Sequence, residues 1–216
     1  DPKALPWGKL DVDIVLECTG RFTNLEGASQ HLAAGAKRVI ISAPAKGDGV
    51  PTHVMGVNEK GAGRDAAVIN NASCTTNCIA PVAAVLQEAF GIRKAMMTTV
   101  HSYTASQVLQ DGPAKDLREA RAAAENIVPT TTGAAIATTQ VIPELQGVFD
   151  GLSIRVHTPV VSLSDFTMLL HRTVTVEEVN VAFQKAAKSA RWKGILLVTN
   201  EPLVSSDFIG CSASAV

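Results

Sequence analysis

A cysteine begins a predicted helix in the stretch "NNASCTTNCIAP", residues 70–81. Asn and Ser, which precede Cys74, are common N-cap residues, and apolar residues follow at helical spacing: Ile79, Val82, Val85, Leu86, Ala89 and Phe90. The unpaired N–H groups and the positive dipole end of a first helical turn favour thiolate, and they lower a cysteine pKa from about 8.5 to ~3.5–7.5. The pattern predicts that Cys74 is a nucleophile, with an inert buried cysteine as the competing interpretation.

A nucleophilic thiol needs a base, and the candidate among the five histidines is His101. This residue follows the apolar run "AMMTTV" and ends a predicted strand, where an imidazole can face a crevice. The others lie on a predicted helix (His31), in a turn-rich loop (His53), inside "RVHTP" (His157) and late in a strand (His171). Spacing alone leaves a catalytic and a structural role open for His101.

The remaining cysteines are predicted to stand outside this chemistry. We interpret Cys18, in "DIVLECTG", and Cys78, one helical turn after Cys74, as buried and structural, whereas Cys211 has no interpretable context. No second Cys or His pair at ligand spacing supports a zinc site. The four cysteines do not form the disulfide framework of a small secreted domain, which favours a reducing, cytoplasmic setting.

The elements before Cys74 are predicted in the order strand, helix, strand, strand. The strands are "DVDIVLE", "KRVIISA" and "AAVINNA", and the helix "TNLEGASQHLAAG" has a capping-box pattern from Thr23 to Glu26 and a stop at Gly35. Continuous apolar strands joined by a helix predict an α/β fold with a doubly wound parallel sheet buried on both faces. We expect the carboxyl ends of these strands, residues 18–20, 42–46 and the Cys74 stretch, to meet at one crevice.

Longer strand-like runs follow the Cys74 helix: "RKAMMTTVHSYT", "GLSIRVHTPVVSLSDFTMLLHRTV" and "GILLVTN". A second capping box, from Thr175 to Glu178, opens an amphipathic helix between the last two runs, so we predict an antiparallel sheet with helices packed on it. Residues 102–128 lack strand character and combine turns with a charged helical pattern. Loops of that length are usually functional.

Composition favours small-molecule chemistry. Of the 216 residues, 46% are hydrophobic, which is ample for a core, and 19 basic residues nearly balance 20 acidic ones. The charges are dispersed and only 4% of residues are aromatic, so neither a nucleic-acid surface nor a membrane-surface helix is indicated. No apolar run approaches the ~18 residues of a membrane span.

Several motifs, in unbroken order, resemble phosphorylating glyceraldehyde-3-phosphate dehydrogenases, bacterial ones in particular. The most specific is "ASCTTNC", and it is accompanied by "ECTGRF", "RVIISAPAKG", "TTVHSYTASQ", "DGPAKDLREARAAAENIVPTTTGAA" and "RVHTPVVSLSDFT". The resemblance implies that residues 1–73 are a partial NAD(P)-binding domain with the latter half of its parallel sheet. Residues 74–216 would then be an α+β catalytic domain with a mostly antiparallel sheet.

The resemblance also implies a reaction. Cys74 would attack the aldehyde of glyceraldehyde 3-phosphate, His101 would accept a proton as hydride leaves for NAD or NADP, and inorganic phosphate would release the thioester as 1,3-bisphosphoglycerate. Implied phosphate-binding residues are Ser73, Thr75, Thr132 and Gly133 at one subsite, and Thr104, Arg118 and Arg155 at the other. A solvated charge for Arg118 and an N-cap for Thr132 are the alternatives. The family further implies a cytoplasmic homotetramer with no nucleic-acid or membrane partner.

Nucleotide contacts carry over to Thr19, Gly20 and Phe22 near the adenosine and pyrophosphate, and to Ser42 and Ala43 beside the nicotinamide. For Thr19 and Ser42 the alternative is an ordinary strand-end turn. Gly-x-Gly-x-x-Gly, with its acidic residue about 20 positions later, is missing. Only the pairs Gly47/Gly49 and Gly61/Gly63 occur.

The chain also ends at "SASAV", short of the family's last strand, its nicotinamide-contacting Asn and its C-terminal helix, so we expect a fragment that is inactive by itself and binds NAD weakly or not at all. Within the match, His157 and Val160 stand where the family usually shows Pro and Asn. The alternatives are an erythrose 4-phosphate dehydrogenase, a Cys–His thiol hydrolase and a non-catalytic binding protein. Intact "HSYT" and "TTTG" motifs argue against the first, and the parallel-sheet strands argue against the second.

Overall fold

The strands before Cys74 form a three-stranded parallel sheet in the computed structural model, which describes residues 1–62, 64 and 66–216. Strands β1 (Ile14–Glu17), β2 (Arg38–Ile41) and β3 (Val68–Asn70) lie side by side in that order, and helix α1 (Leu25–Ala33) connects β1 to β2. The prediction of an α/β unit with a parallel sheet is confirmed. Gly63, from the second glycine pair, lies outside the described residues.

Burial on both faces of this sheet was the wrong expectation. Val15, Val39 and Ile41 are buried on the face that α1 covers, whereas Ile14 and Leu16 point the other way and are 50% and 65% exposed. Exposure alternates along β1 because, within the described part of the chain, a helix packs on one face alone. Cys18 is also exposed, contrary to prediction, since β1 ends one residue before it.

Helix α1 begins one residue later than its sequence pattern predicts. Its N-cap is Asn24, whose side chain accepts a hydrogen bond from the Gly27 N–H at 2.8 Å, so no Thr23–Glu26 capping box forms. The predicted stop at Gly35 is present, because Gly35 adopts φ +104° just past the helix. A side chain there would also lie 2.4 Å from the Cα of Gly8, so glycine is required at this position.

The second sheet has four strands in the order β5–β6–β4–β7. They are β4 (Ile92–Ser102), β5 (Val128–Thr130), β6 (Phe149–Val156) and β7 (Leu163–Leu170). The β4–β7 and β5–β6 pairs are antiparallel and β4–β6 is parallel, so the prediction of a mostly antiparallel sheet is confirmed.

Three helices accompany this sheet: α2 (Cys74–Phe90), α3 (Ala134–Val141) and α4 (Val176–Ala187). The hydrophobic core centres on three side chains that are at most 1% exposed: Ile79 of α2, Met97 of β4 and Leu145. The capping box from Thr175 to Glu178 opens α4 as predicted. No helix among the described residues is long and apolar enough to cross a membrane.

Four predictions for this region were wrong in detail. The long run from residue 151 to 174 is not continuous but breaks at residues 157–162 into two strands. "GILLVTN" forms a single bridge, from Leu196 to Ala215, instead of a strand. Residues 103–127 form turns and no helix, and Ala89 of the predicted apolar stripe is exposed.

Candidate active site

Cys74 is the first residue of α2, and a short turn from β3 places it there. Ser73 is the N-cap, and its hydroxyl accepts a hydrogen bond from the Thr76 N–H at 3.0 Å. The turn before it is held by the Asn70 side chain, which accepts from the Ala72 N–H at 3.0 Å. The thiol therefore lies at the positive end of a helix of 17 residues and is exposed.

His101 lies next to this thiol. The imidazole is buried near the end of β4, and its Nε2 is 3.5 Å from the Cys74 Sγ. The hydrogen bond with His101 lowers the pKa of the Cys74 thiol to about 7, against the opposing effect of partial burial. Thiol and thiolate are therefore both well populated near neutral pH, which suits a nucleophile.

The Ser102 carbonyl orients the imidazole. The His101 Nδ1 lies 2.7 Å from the Ser102 carbonyl oxygen, an acceptor, and 3.0 Å from the Arg155 Nη1, a donor; we assign a proton to Nδ1 because the carbonyl contact is the shorter. In the neutral ring this leaves the lone pair of Nε2 directed at Cys74. The ring can thus take the thiol proton at Nε2, and the imidazolium then donates to the thiolate, which is the hydrogen bond that lowers the pKa of Cys74.

Arg155 is the cross-strand neighbour of His101, because the two residues are paired in the β4–β6 register. Its Nη1 donates to the Ser102 carbonyl at 3.1 Å and to the Thr104 hydroxyl at 3.3 Å, and it lies 3.0 Å from the His101 Nδ1. Two donors thus share the Ser102 oxygen. Arg155 Nε is buried and has no hydrogen-bond partner among the described residues, so the guanidinium has a donor to spare.

Of the predicted phosphate-binding residues, the structure brings Thr104 and Arg155 together and leaves Arg118 apart. The Arg118 side chain is exposed and makes no hydrogen bond or ion pair with another described residue, which is what a solvated charge would do. Its backbone N–H donates to the Asp116 carboxylate at 2.7 Å within a turn.

The second predicted subsite is divided between two helix starts. Ser73 and Thr75 flank Cys74 at α2, while Thr132 and Gly133 precede α3, which packs against α2. The Thr132 hydroxyl accepts from the Ala134 N–H at 3.1 Å, but Gly133 is the N-cap of α3 and no side chain caps this helix, so Thr132 does not have the N-cap role of the alternative interpretation. Gly133 faces open space, since an added Cβ would meet no atom within 4 Å.

A cavity of about 920 Å³ opens beside Cys74 and His101. Its wall includes the C-terminal segment, with Leu203, Phe208 and Cys211. Cys211, which had no interpretable context in the sequence, therefore lines the same cavity as Cys74. Cys78 also lines it and packs against the core, and burial raises the pKa of its thiol. Residues 18–20 and 42–46 do not line this cavity. The cavity is therefore not the single crevice that was expected where the strand ends meet the Cys74 stretch.

The predicted nucleotide-binding residues lie together at the carboxyl edge of the parallel sheet. The register sets the ends of β1 and β2 side by side, and the Ser42 N–H donates to the Glu17 carbonyl at 3.1 Å. Gly20 adopts φ +71° in open space, and Phe22 is half-buried, whereas Ala43 packs against the sheet's core. Backbone groups beside an open glycine and a partly exposed ring fit a nucleotide.

Two contributors to these sites escaped the sequence analysis. The Ser102 carbonyl carries no side-chain signal, because any residue type supplies it. Glu17 did carry a sequence signal, because it is a carboxylate at the end of an apolar strand. In the structure it is 2% exposed and hydrogen-bonded to His31. A charge in such a run indicates a partner nearby.

Comparison with known proteins bears on the family of the chain. Residues 73–216 match the model of the glyceraldehyde 3-phosphate dehydrogenase C-terminal domain. The chain is 58% identical over 216 residues to a glyceraldehyde-3-phosphate dehydrogenase of Geobacillus stearothermophilus, 56% over 215 residues to one of Streptomyces coelicolor, and 52% over 208 residues to the chloroplastic form A of Scenedesmus vacuolatus. These matches cover 100%, 99% and 96% of this chain and 64%, 64% and 66% of the relatives.

The chain thus spans a little under two thirds of the length of these relatives. The family model over residues 73–216 and the relatives over nearly the whole chain carry the name of the same enzyme. The chain belongs to the glyceraldehyde-3-phosphate dehydrogenase family.

Proposed function

We propose that the protein to which these residues belong is a phosphorylating glyceraldehyde-3-phosphate dehydrogenase. The observation that carries this proposal is the 3.5 Å approach of the His101 Nε2 to the Cys74 Sγ at a helix start, which lowers the pKa of the thiol to about 7. The reaction takes D-glyceraldehyde 3-phosphate to 1,3-bisphosphoglycerate. It belongs to glycolysis and gluconeogenesis.

In the first step His101 Nε2 takes the thiol proton, the Cys74 thiolate attacks the aldehyde carbon, and the same proton passes from Nε2 to the carbonyl oxygen to give a hemithioacetal. His101, with its Nε2 lone pair on the side of the thiol, then accepts that hydroxyl proton as hydride leaves the carbon. The product is a thioester on Cys74. An oxygen of inorganic phosphate attacks the thioester carbon, and the sulfur leaves as a thiolate that His101 stabilises.

Arg155 is proposed to bind the substrate phosphate together with Thr104, and to extend towards the second phosphate. Its spare Nε donor and its hydrogen bonds to Ser102, at the end of β4, and to Thr104, in the loop that follows, support that role. Ser73, Thr75, Thr132 and Gly133 are proposed for the inorganic phosphate. Helix starts with nearby hydroxyls suit an anion.

NAD is the proposed cofactor, and when bound it supplies the hydride acceptor. Gly20 and Phe22 would hold its adenosine and pyrophosphate, with Thr19 in the same loop, and Ser42 and Ala43 would flank the nicotinamide. We assign residues 1–73 to the nucleotide-binding domain and residues 74–216 to the catalytic domain. By analogy with the family, the complete protein is proposed to be a cytoplasmic homotetramer.

Substrate binding can be tested on this chain by the alkylation rate of Cys74. Glyceraldehyde 3-phosphate should protect the thiol from iodoacetamide at a roughly tenfold lower concentration than glyceraldehyde does, because a charge-assisted hydrogen bond to the phosphate contributes about 1.5–3 kcal/mol. In Arg155→Lys the two aldehydes should protect at concentrations within about twofold, since a point charge replaces the planar fork.

Arg172→Lys is the matched control, because Arg172 pairs with Glu178 at α4 and should leave protection unchanged. Equal protection by both aldehydes in the unsubstituted chain would overturn the proposed substrate. An equal loss of protection by glyceraldehyde 3-phosphate in Arg155→Lys and Arg172→Lys would show that Arg155 does not bind the phosphate.

A further inference from the structure

Glu17 is a buried carboxylate that the proposed chemistry does not use. Its side chain is 1% exposed, and a buried carboxylate is costly unless donors surround it. Three donors do: the Thr19 backbone N–H at 2.8 Å, the Thr19 hydroxyl, and the His31 Nε2 at 2.8 Å. Although burial raises the pKa of Glu17, these hydrogen bonds outweigh it, so the pKa lies below its ordinary value.

The tautomer of His31 follows from its second partner. The Trp7 indole N–H, which can only donate, lies 3.1 Å from the His31 Nδ1, so Nδ1 carries the lone pair. Nε2 must then carry the proton of the neutral ring, and it donates to Glu17. Trp7 and Phe22 also pack against the imidazole, with ring centroids 6.3 and 6.2 Å away.

The polar chain continues into the loop after β1. Both oxygens of Glu17 are occupied, one by His31 and one by Thr19, and the Thr19 hydroxyl in turn accepts from the Arg21 N–H at 3.2 Å. Ser42 is attached to the same residue, since its N–H donates to the Glu17 carbonyl. Thr19 and Ser42 are themselves exposed, so the structure anchors two surface loops to one buried residue.

We propose that Glu17, oriented by His31 and Trp7, is a positioning residue that fixes the loop of Thr19, Gly20 and Phe22 for the nucleotide. This inference rests on the proposed function. Thr19 anchors the loop and does not bind the nucleotide through its hydroxyl, because that hydroxyl donates its proton to Glu17 and accepts from the Arg21 N–H. The nucleotide would then contact backbone groups around Gly20.

Amide hydrogen exchange measured by NMR on this chain tests the positioning. The Thr19 N–H should exchange slowly in the unsubstituted chain although the residue is exposed, and roughly tenfold faster in Glu17→Gln, because a neutral amide accepts weaker hydrogen bonds. The ¹⁵N shifts of His31 should show one tautomer, protonated at Nε2, and a mixture in the variant. Trp7→Phe, which removes the indole N–H and keeps an aromatic ring, should also mix the tautomers, and it serves if Glu17→Gln does not fold.

Val39→Ala is the matched control, because it weakens the same sheet from its core without touching Glu17. The proposal is overturned if Thr19 exchange rises no more in Glu17→Gln than in this control at equal stability. A single unchanged His31 tautomer in the glutamine and phenylalanine variants would overturn it as well.

Adding NAD at millimolar concentration separates this inference from the proposed function. Amide shifts at Thr19, Gly20 and Phe22 that occur in the unsubstituted chain and vanish in Glu17→Gln support the inference. Equal shifts in both chains overturn it and leave nucleotide binding in place. If NAD shifts nothing in the unsubstituted chain, in line with the weak or absent NAD binding expected from the sequence, the exchange and tautomer results alone decide whether Glu17 fixes the loop.

Discussion

At the scale of single residues, the candidate site depends on one backbone oxygen. The Ser102 carbonyl accepts from both the His101 ring and the Arg155 guanidinium, so it fixes these two side chains relative to each other. Burial lowers the pKa of Arg155, and the charge of Cys74 opposes this, as expected when a thiolate faces a guanidinium. The two side chains thus act on one thiol from one strand pair.

Alkylation of Cys74 should rise through neutral pH. With its pKa near 7, roughly a quarter of this thiol is thiolate at pH 6.5, against about 1% for a cysteine of pKa about 8.5. Iodoacetamide at pH 6.5 should therefore label Cys74 well ahead of Cys18, Cys78 and Cys211, as followed by peptide mass spectrometry.

His101→Asn should move the midpoint of that labelling curve to higher pH, because the hydrogen bond with His101 is the largest cause of the lowered pKa. His53→Asn, in a loop away from the site, is the control and should not move it. Labelling of all four cysteines at one rate would contradict the assignment of Cys74 as the activated thiol.

At the scale of elements, the turn that begins α2 both caps the helix and positions Cys74. Ser73 caps α2 through Thr76, and the same short turn from β3 places Cys74 beside His101, near the end of β4. The phosphate role proposed for Ser73 therefore has to coexist with a capping role.

Ser73→Ala should lower the free energy of unfolding by about 1 kcal/mol, because α2 loses its cap. Thr175→Ala, which removes the cap of α4, should cost a similar amount and leave Cys74 alkylation unchanged. Urea unfolding gives both values. A stability loss for Ser73→Ala far below that of Thr175→Ala would show that the Ser73 cap contributes little.

At the scale of the whole molecule, the two sheets differ in how they are covered. The parallel sheet has helix α1 on one face and exposes Ile14 and Leu16 on the other, whereas the β4 face towards α2 carries the larger core. Apolar side chains at an exposed sheet face are sites where further protein surface could pack.

Two isoleucines of the parallel sheet offer a matched comparison of its faces. Ile41→Ala should cost about 2–5 kcal/mol of unfolding free energy, since Ile41 is fully buried. Ile14→Ala should cost about 0.5 kcal/mol or less, since Ile14 is half exposed. Denaturant unfolding of dilute chain measures both, and equal losses would show that the outer face is covered in solution.

The sequence by itself determined the kind of elements and their order. Strand, helix and cap signals are local, so "KRVIISA", the α2 start and the Thr175–Glu178 box could be placed from residue types alone. Competing local signals produced the errors: Asn24 displaced Thr23 as a cap, and the apolar "GILLVTN" found only one bridging partner.

Only the tertiary structure decided which residues meet. The separation of 27 positions between Cys74 and His101 becomes 3.5 Å because β4 returns beside the start of α2. The pairing of His101 with Arg155 depends on the β4–β6 register, and the exposure of Leu16 depends on which sheet face is covered. Burial, register and a shared carbonyl are properties of the packed chain, so no local pattern of residue types encodes them.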